Sequence, residues 1–242
     1  MDVGENEPYE PNGTSTDELF VRALAEVRAD AGPAPALLAL HARPTREVFG
    51  RAARLLAHDE PEERELGAQI LRELGPRDDD GRRPFTRETI AVVLAELPSE
   101  PDPGVLGWLI SVLGYHIAEE TLDLVLGHLS HPAQPVRFSV AAALPRLADP
   151  DRTQDRVVDA LLRLSEDEDA DVRWYAVYAL FHETAGVADA DRVAWATDLT
   201  TRGDPERRDA LRHLGTTLDD DADPALRAAL QGGAPDPASR PA

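Results

Sequence analysis

The sequence lacks cysteine and lysine and has only one methionine and twelve aromatic residues (three Trp, four Tyr and five Phe) among its 242 positions. The absence of cysteine excludes disulfides, thiolate catalysis and Cys-ligated metal sites. All 25 basic residues are arginine and face 46 acidic residues, for a net charge of −21. This balance argues against nucleic-acid binding, because phosphate contacts need a cationic surface. The arginine bias is typical of salt adaptation or of GC-rich coding sequence, and the sequence does not separate the two.

Long apolar runs are also missing. No stretch approaches the roughly 18 uninterrupted apolar residues that a membrane span needs. The N-terminal segment MDVGENEPYEPNG is acidic and polar, whereas a secretory signal has a basic end followed by an apolar core. We therefore expect a cytoplasmic protein that does not contact membranes.

Helical patterns with a repeat of about 36 residues fill the chain, and strand signals are scarce. The segment 131–148 aligns with 167–184 and matches Val136-Arg137 to Val172-Arg173. Weaker copies lie at 61–75, 101–114 and 204–218. The equivalent reference positions are Glu63, Val105, Val136, Val172 and Arg207.

Each copy follows another helical pattern, so the repeating unit is a helical hairpin. We expect an all-α solenoid over residues 17–231, with a helical N-terminal cap at 17–43 and disordered tails at 1–16 and 232–242. Acidic and Pro-containing turns separate the helices and supply their N-terminal caps. The five predicted hairpins lie near 44–75, 84–115, 117–148, 152–184 and 189–218.

The fourth repeat carries the pattern Asp167-x4-Val172-Arg173-x2-Ala176-x2-Ala179-Leu180. This pattern resembles the HEAT-repeat family, in the short form known as the phycobilisome-lyase HEAT-like repeat. The resemblance is specific over 131–184 and covers 44–218 at the level of architecture. It implies a right-handed, armadillo-type superhelix whose second helices line a concave surface. Tetratricopeptide units have a similar period, but their recurrent Trp, Leu-Gly, Tyr and Pro set is missing.

The second helix of each unit has one core face and one aromatic face. Positions four, seven, eight and eleven residues after the reference share the core face, and they include Leu71, Leu113, Leu144 and Leu180. Small core residues allow helices to approach closely, so bulky substitutions at Ala143 or Ala179 are expected to destabilise the protein by about 1–3 kcal/mol. Aromatic residues occupy the other columns, and we interpret them as a partner-binding groove. The predicted partner-binding residues are Trp108, Tyr115, Phe138, Trp174, Tyr175, Tyr178, Phe181 and His182.

The Val-Arg pairs favour a structural role over a catalytic one. The resemblance implies that Arg137 and Arg173 form a ladder of hydrogen bonds to turn aspartates such as Asp167, in the same or the next unit.

No catalytic motif, metal site or cofactor site is predicted. His182-Glu183 invites comparison with deoxyhypusine hydroxylase, a HEAT-like di-iron enzyme, but such a site needs several converging His-Glu pairs. The equivalent positions in the other repeats do not repeat that pair. His116 with Glu119 and Glu120 forms at most a partial ligand set. The alternative of a subunit or relative of a HEAT-like lyase or hydroxylase therefore stays open without a candidate catalytic residue.

The leading hypothesis is a non-enzymatic scaffold or adaptor that binds a protein or peptide in the aromatic groove. The acidic envelope favours a basic partner. A toxin-neutralising or regulatory partner is a more specific form of this hypothesis. In a third interpretation the charge reflects salt adaptation alone. A double change of Tyr175 and Tyr178 to alanine is predicted to abolish binding while the fold survives.

Overall fold

Helices occupy most of the residues that the structure describes. The structure is a computed structural model, and it describes residues 13–30, 34–202, 211–213 and 224–232. Short 3₁₀ turns lie at Leu97–Ser99 and Glu119–Thr121, and a π turn follows α10 at Ala179–Glu183. Within the described ranges no strand occurs. The helices are α1 (Thr16–Ala29), α2 (Pro35–His41), α3 (Arg46–Leu55), α4 (Pro61–Glu73), α5 (Thr86–Glu96), α6 (Pro103–Tyr115), α7 (Leu122–Leu126), α8 (Gln134–Leu147), α9 (Asp155–Leu164), α10 (Ala170–Tyr178), α11 (Asp189–Arg202) and α12 (Pro224–Leu230).

Short polar side chains start several of these helices. The Asp102 carboxylate accepts hydrogen bonds from the backbone N–H groups of Gly104 (2.8 Å) and Val105 (3.0 Å), and Pro103 is the first residue of α6. Asp169 caps α10 in the same way, at 3.0 and 3.1 Å. Each cap satisfies N–H groups that have no partner within the helix. The turn sequences therefore start helices at these positions as expected.

The chain divides into two compact units, Met1–Ala118 and Glu119–Ala242. In the first unit, α1 packs on α2, α3 on α4 and α5 on α6, and α4 also packs on α6. In the second unit, α7 packs on α8 and α9 on α10, α8 packs on α10, and α11 packs on α12. Helical hairpins stacked through their second helices are the architecture of an α-solenoid. The predicted all-α solenoid class is confirmed.

The predicted core columns are buried. Leu71, Leu113, Leu144 and Leu180 are fully inaccessible to solvent. Ala143 and Ala179 are also buried, as the overpacking prediction requires. At Gly67 the α3 backbone approaches α4 so closely that a Cβ would lie 2.7 Å from the Ala52 carbonyl oxygen.

Several predicted boundaries differ from the observed ones, and others lie outside the residues that the structure describes. The first helix of the hairpin predicted near 117–148 is reduced to a 3₁₀ turn and the five residues of α7. Most of the predicted tails at 1–16 and 232–242, and most of the helix expected over 204–218, lie outside the described residues.

Candidate functional site

Three rings stack along one side of α10 and the π turn that extends it. The ring centroids of Trp174 and Tyr178 are 5.5 Å apart with an interplanar angle of 10°. Those of Tyr178 and His182 are 4.8 Å apart at 20°. Trp174, at the outer end of the stack, has 41 % of its surface exposed. Tryptophan and tyrosine are enriched among the residues that dominate protein-binding energy.

Tyr175 connects this stack to the neighbouring helix α8. Its ring contacts Phe138 edge to face at 5.3 Å, and it meets Trp174 and Tyr178 in similar T-shaped geometry at 6.2 and 5.7 Å. Such arrangements are favoured between aromatic quadrupoles, so each ring limits the movement of the next. We call Phe138, Trp174, Tyr175, Tyr178 and His182 the α10 aromatic surface.

The π turn decides which residues join this surface. The Thr184 N–H donates to the Ala179 carbonyl at 3.2 Å, a hydrogen bond that spans five residues instead of four. The wider turn rotates the residues that follow it. Phe181, predicted to continue the stripe from Trp174 and Tyr178, is instead buried with 5 % of its surface exposed. His182 takes the predicted place of Phe181 next to Tyr178.

A partly buried carboxylate lies beneath the aromatic surface. Burial raises the pKa of Glu183, while Arg146 and a hydrogen bond donated by Tyr175 oppose that shift. The nearest Arg146 nitrogen lies 3.9 Å from Oε1 of Glu183. Oε2 is buried without a hydrogen-bond partner. Tyr175 therefore has a structural task besides displaying its ring, which makes it a poor residue to remove in a binding test.

We expect Glu183→Gln to stabilise the protein at neutral pH and to have little effect at acidic pH. An acid whose pKa is raised on folding stabilises the protein fully below its unfolded pKa, and that stability is lost as pH rises through the folded pKa. The neutral amide of glutamine does not lose this stability as pH rises, because it carries no charge that burial would desolvate. Thermal unfolding of both proteins across pH 3 to 8 measures the difference. If the stabilities of the two proteins differed by the same amount at every pH, the raised pKa of Glu183 would be contradicted.

A recess of about 400 Å³ opens beside the first turn of α10. Its walls are Phe138 and Trp174, and the polar side chains of Gln134 and Asp171 complete the lining. Asp171 is exposed and belongs to the segment 166–171, which has five carboxylates in six residues. Gln134 and Asp171 could not be predicted as site residues from the aromatic columns, because neither is aromatic and polar residues near a helix start are usually solvated caps.

The other two predicted aromatic residues lie in the first unit and are covered by the chain itself. The Arg72 guanidinium of α4 lies over Trp108 at 4.9 Å and over Tyr115 at 4.3 Å from the ring centroids. Arg72 also donates to Glu73 through Nε at 3.0 Å. Burial raises the pKa of nearby Glu65, opposed by hydrogen bonds from Gln69 and Trp108. The faces of Trp108 and Tyr115 thus already have an intramolecular cation.

The predicted arginines do occupy a repeating structural network. Arg137 donates from Nε and Nη2 to the Asp167 carboxylate at 2.7 and 2.8 Å, and from Nη1 to the carbonyls of His131 and Pro132. Arg173 donates from Nη1 to the carbonyls of Asp167 and Glu168. Burial alone would raise the pKa of Asp167, but hydrogen bonds from Arg137 and from the Asp169 N–H lower it overall.

The first unit repeats this arrangement with a different acid. Arg64 donates from Nε and Nη2 to Glu100 at 2.9 and 2.8 Å, and from Nη1 to the carbonyls of His58 and Asp59. In both units the arginine ties its own turn to a carboxylate of the next repeat. We call these contacts the arginine ladder. A glutamate as the acceptor was not anticipated, because the predicted pattern requires aspartate.

The candidate metal ligands are not assembled into a site among the described residues, where no group of three or more His, Asp or Glu side chains converges. His116 is buried, and its ring nitrogens lie 2.9 Å from the Thr86 hydroxyl and 2.9 Å from the Leu71 carbonyl. Burial lowers the pKa of His116, opposed by the Leu71 contact. Both of its ring nitrogens therefore have protein partners.

Comparison with known proteins agrees with this architecture. Residues 90–181 match the family model for HEAT repeats. The crystal structure of an engineered protein, determined by the Northeast Structural Genomics Consortium, is similar to this chain with a TM-score of 0.53 and 22 % sequence identity, covering 91 % of this chain and 94 % of that one. At this identity the likeness shows the fold alone. A search of curated proteins found no match.

HEAT repeats generally serve as protein-interaction scaffolds, because stacked repeats present extended binding surfaces. Along the part of the chain that the structure describes, no helix combines the length and apolar character needed to cross a membrane. The resemblance to HEAT repeats is therefore shown for residues 90–181 of the chain.

Proposed function

We propose that this protein is a non-enzymatic scaffold that binds a basic protein or peptide through the α10 aromatic surface. The observation that carries the proposal is the stack of Trp174, Tyr178 and His182, whose outer member is substantially exposed. Tryptophan and tyrosine are the side chains that most often dominate protein-binding energy, because they bury a large area at a low entropic cost.

The charge around this surface favours a basic partner. The segment 166–171 supplies five carboxylates in six residues beside Trp174, and the whole chain has a net charge of −21. A field of this sign attracts cationic partners, repels nucleic acid and accelerates association at low salt. Neutralisation of a basic toxin or control of a regulatory protein are specific forms of this proposal. Both require the same surface.

Affinity capture from the native host tests this function, with Trp174→Ala/Tyr178→Ala as the binding variant. We expect the wild type to retain one or a few basic proteins and the double variant to lose them, since truncation of a hot-spot aromatic residue costs roughly 2–4 kcal/mol of binding free energy. Tyr175 stays intact because its hydroxyl supports Glu183.

Leu124→Ala is the matched control for this capture experiment. Leu124 is also an exposed apolar residue of the second unit, but it lies on α7. The control variant is expected to retain the same proteins as the wild type. If the double variant captured the same set as the wild type, the aromatic surface would not be the binding site.

A further inference from the structure

We propose that the α10 recess is a pocket for an arginine side chain of the partner. This inference rests on the proposed function and names the chemical group that the surface recognises. The recess is the space of about 400 Å³ lined by Gln134, Phe138, Asp171 and Trp174. It combines two aromatic walls with a carboxylate at the rim, which are the groups that bind a guanidinium ion most favourably.

The aromatic walls are held in place before any partner arrives. Trp174 stacks on Tyr178 on one side and meets the edge of Tyr175, and Tyr175 also packs against Phe138. A guanidinium group that enters between these rings therefore does not have to immobilise them. Pre-organisation of this kind lowers the entropic cost of binding.

The polar lining supplies oxygen acceptors for a cation. The Gln134 side-chain amide N–H donates to Asp169 Oδ1 at 3.3 Å, so its carbonyl oxygen is not used in that contact. Asp169 is itself engaged as the cap of α10. Asp171 lies in the first turn of α10 and is exposed. The Arg137 guanidinium is already bonded to Asp167, so it does not neutralise Asp171.

The first unit contains the same combination of aromatic rings and a carboxylate, and there an arginine of the chain itself contacts both groups. Each of three guanidinium groups lies over at least one aromatic ring and contacts a carboxylate. Around Phe138 and Trp174, no guanidinium group of the described residues lies over either ring. The three sets are Arg46 with Phe49, Phe85 and Glu88; Arg51 with Phe20 and Asp17; and Arg72 with Trp108, Tyr115 and Glu73.

The chemistry of the recess favours arginine over lysine. A guanidinium group is planar and weakly hydrated, so it stacks on a ring while its edge donates to a carboxylate. An ammonium group is more strongly hydrated and has no planar face to stack on a ring, so it loses more hydration and gains less contact on entering the recess. Citrulline keeps the shape of arginine but has no charge, so it separates cation recognition from simple packing.

Titration with short peptides tests this pocket, and the signals of the ¹⁵N-labelled protein are followed by NMR. The probes are acetyl-Gly-Arg-Gly-amide and its lysine and citrulline counterparts. We expect saturable shifts of the Trp174 indole and of the backbone amides of Gln134 and of residues 136–138 with the arginine peptide. The lysine peptide should bind about three- to tenfold more weakly, and citrulline should produce no saturable shift.

Paired variants show whether the named groups are responsible. Trp174→Ala should weaken binding of the arginine peptide at least about tenfold, with the backbone amides of Gln134 and of residues 136–138 as the reporter. Asp171→Asn should weaken it about two- to fivefold, whereas Asp159→Asn, an exposed aspartate on α9, should have no effect. Equal responses to the three peptides, or equal losses from the two aspartate variants, would overturn the pocket.

The capture experiment separates failure of this pocket from failure of the proposed function. If capture depends on Trp174 and Tyr178 but neither Asp171→Asn nor the peptides have the expected effects, the surface binds protein without recognising arginine. If capture does not depend on Trp174 and Tyr178, the proposed function itself fails, whatever the peptides do.

Discussion

Arg137→Ala is expected to destabilise the protein by about 3–5 kcal/mol, because it leaves a buried carboxylate without its partner. The side chains of Arg137 and Asp167 are each only 8 % exposed. Arg137 also satisfies the carbonyls of His131 and Pro132, so its loss removes hydrogen bonds from the turn between α7 and α8. Urea unfolding followed by circular dichroism measures the change.

Arg163→Ala is the matched control for this prediction. Arg163 is an exposed arginine of the same unit, and its Nη2 donates to the Ser130 hydroxyl. Surface changes of this kind usually alter stability by less than about 0.5 kcal/mol. Equal effects of the two alanine variants would rule out the arginine ladder as a major source of stability.

The contribution of Asp167 to stability depends on pH. Because the pKa of Asp167 is lowered, the stability contributed by Asp167 is present at neutral pH and is lost as pH falls through the carboxylate range.

Leu144→Ala is expected to cost about 2–5 kcal/mol, since it removes a fully buried side chain and leaves a cavity. Leu144 lies on α8, which packs against α7, α9 and α10. Its loss affects the helix that also carries Phe138, one wall of the α10 recess. Thermal or urea unfolding of the purified variant provides the measurement.

The control for Leu144→Ala is Leu124→Ala in the same unit. Leu124 is 36 % exposed, so its truncation removes less buried surface and leaves no closed cavity. We expect a loss well below that of Leu144→Ala. A small effect at both positions would mean that the column containing Leu144 is not the core of the repeat.

Much of the fold could be predicted from the repeat period. Once Val136 and Val172 are aligned, helical geometry places Leu144 and Leu180 on the same inward face, and both are buried. The two Val-Arg pairs likewise predict that Arg137 and Arg173 approach backbone and carboxylate groups of the turns, as observed. These predictions hold because each repeat faces the same local packing problem.

The π turn could not be predicted from the same regularity. A steady 100° per residue places Phe181 on the stripe of Trp174 and Tyr178. One wider turn at Ala179–Glu183 buries Phe181 and brings His182 onto Tyr178 instead. Nothing in the residue pattern marks this shift, because Phe181 packs equally well as a core residue. Its position depends on packing against neighbouring helices, which a single-sequence pattern does not contain.

The sequence also does not predict which of the aromatic residues are covered by other side chains and which are exposed. Trp108 and Trp174 occupy similar places in their repeats, and the sequence treats both as groove residues. Arg72 covers Trp108, but a contact between residues 36 positions apart follows from the exact register of two repeats. Similarly, α7 is much shorter than its apolar pattern suggests. Gly127 follows its last residue, and a glycine costs a helix interior about 1 kcal/mol relative to alanine.

Site-specific photo-crosslinking in the native host tests most directly whether the α10 aromatic surface binds a protein. The photoreactive substitution Ala170→benzoylphenylalanine places the probe at the exposed start of α10, one turn before Trp174, and leaves every ring intact. The same substitution at Leu124 on α7 provides the control. We predict a discrete crosslinked protein from position 170 that disappears when Trp174→Ala/Tyr178→Ala is added. Equal crosslinking from both positions, or a product that persists in the double variant, would contradict the assignment of this surface.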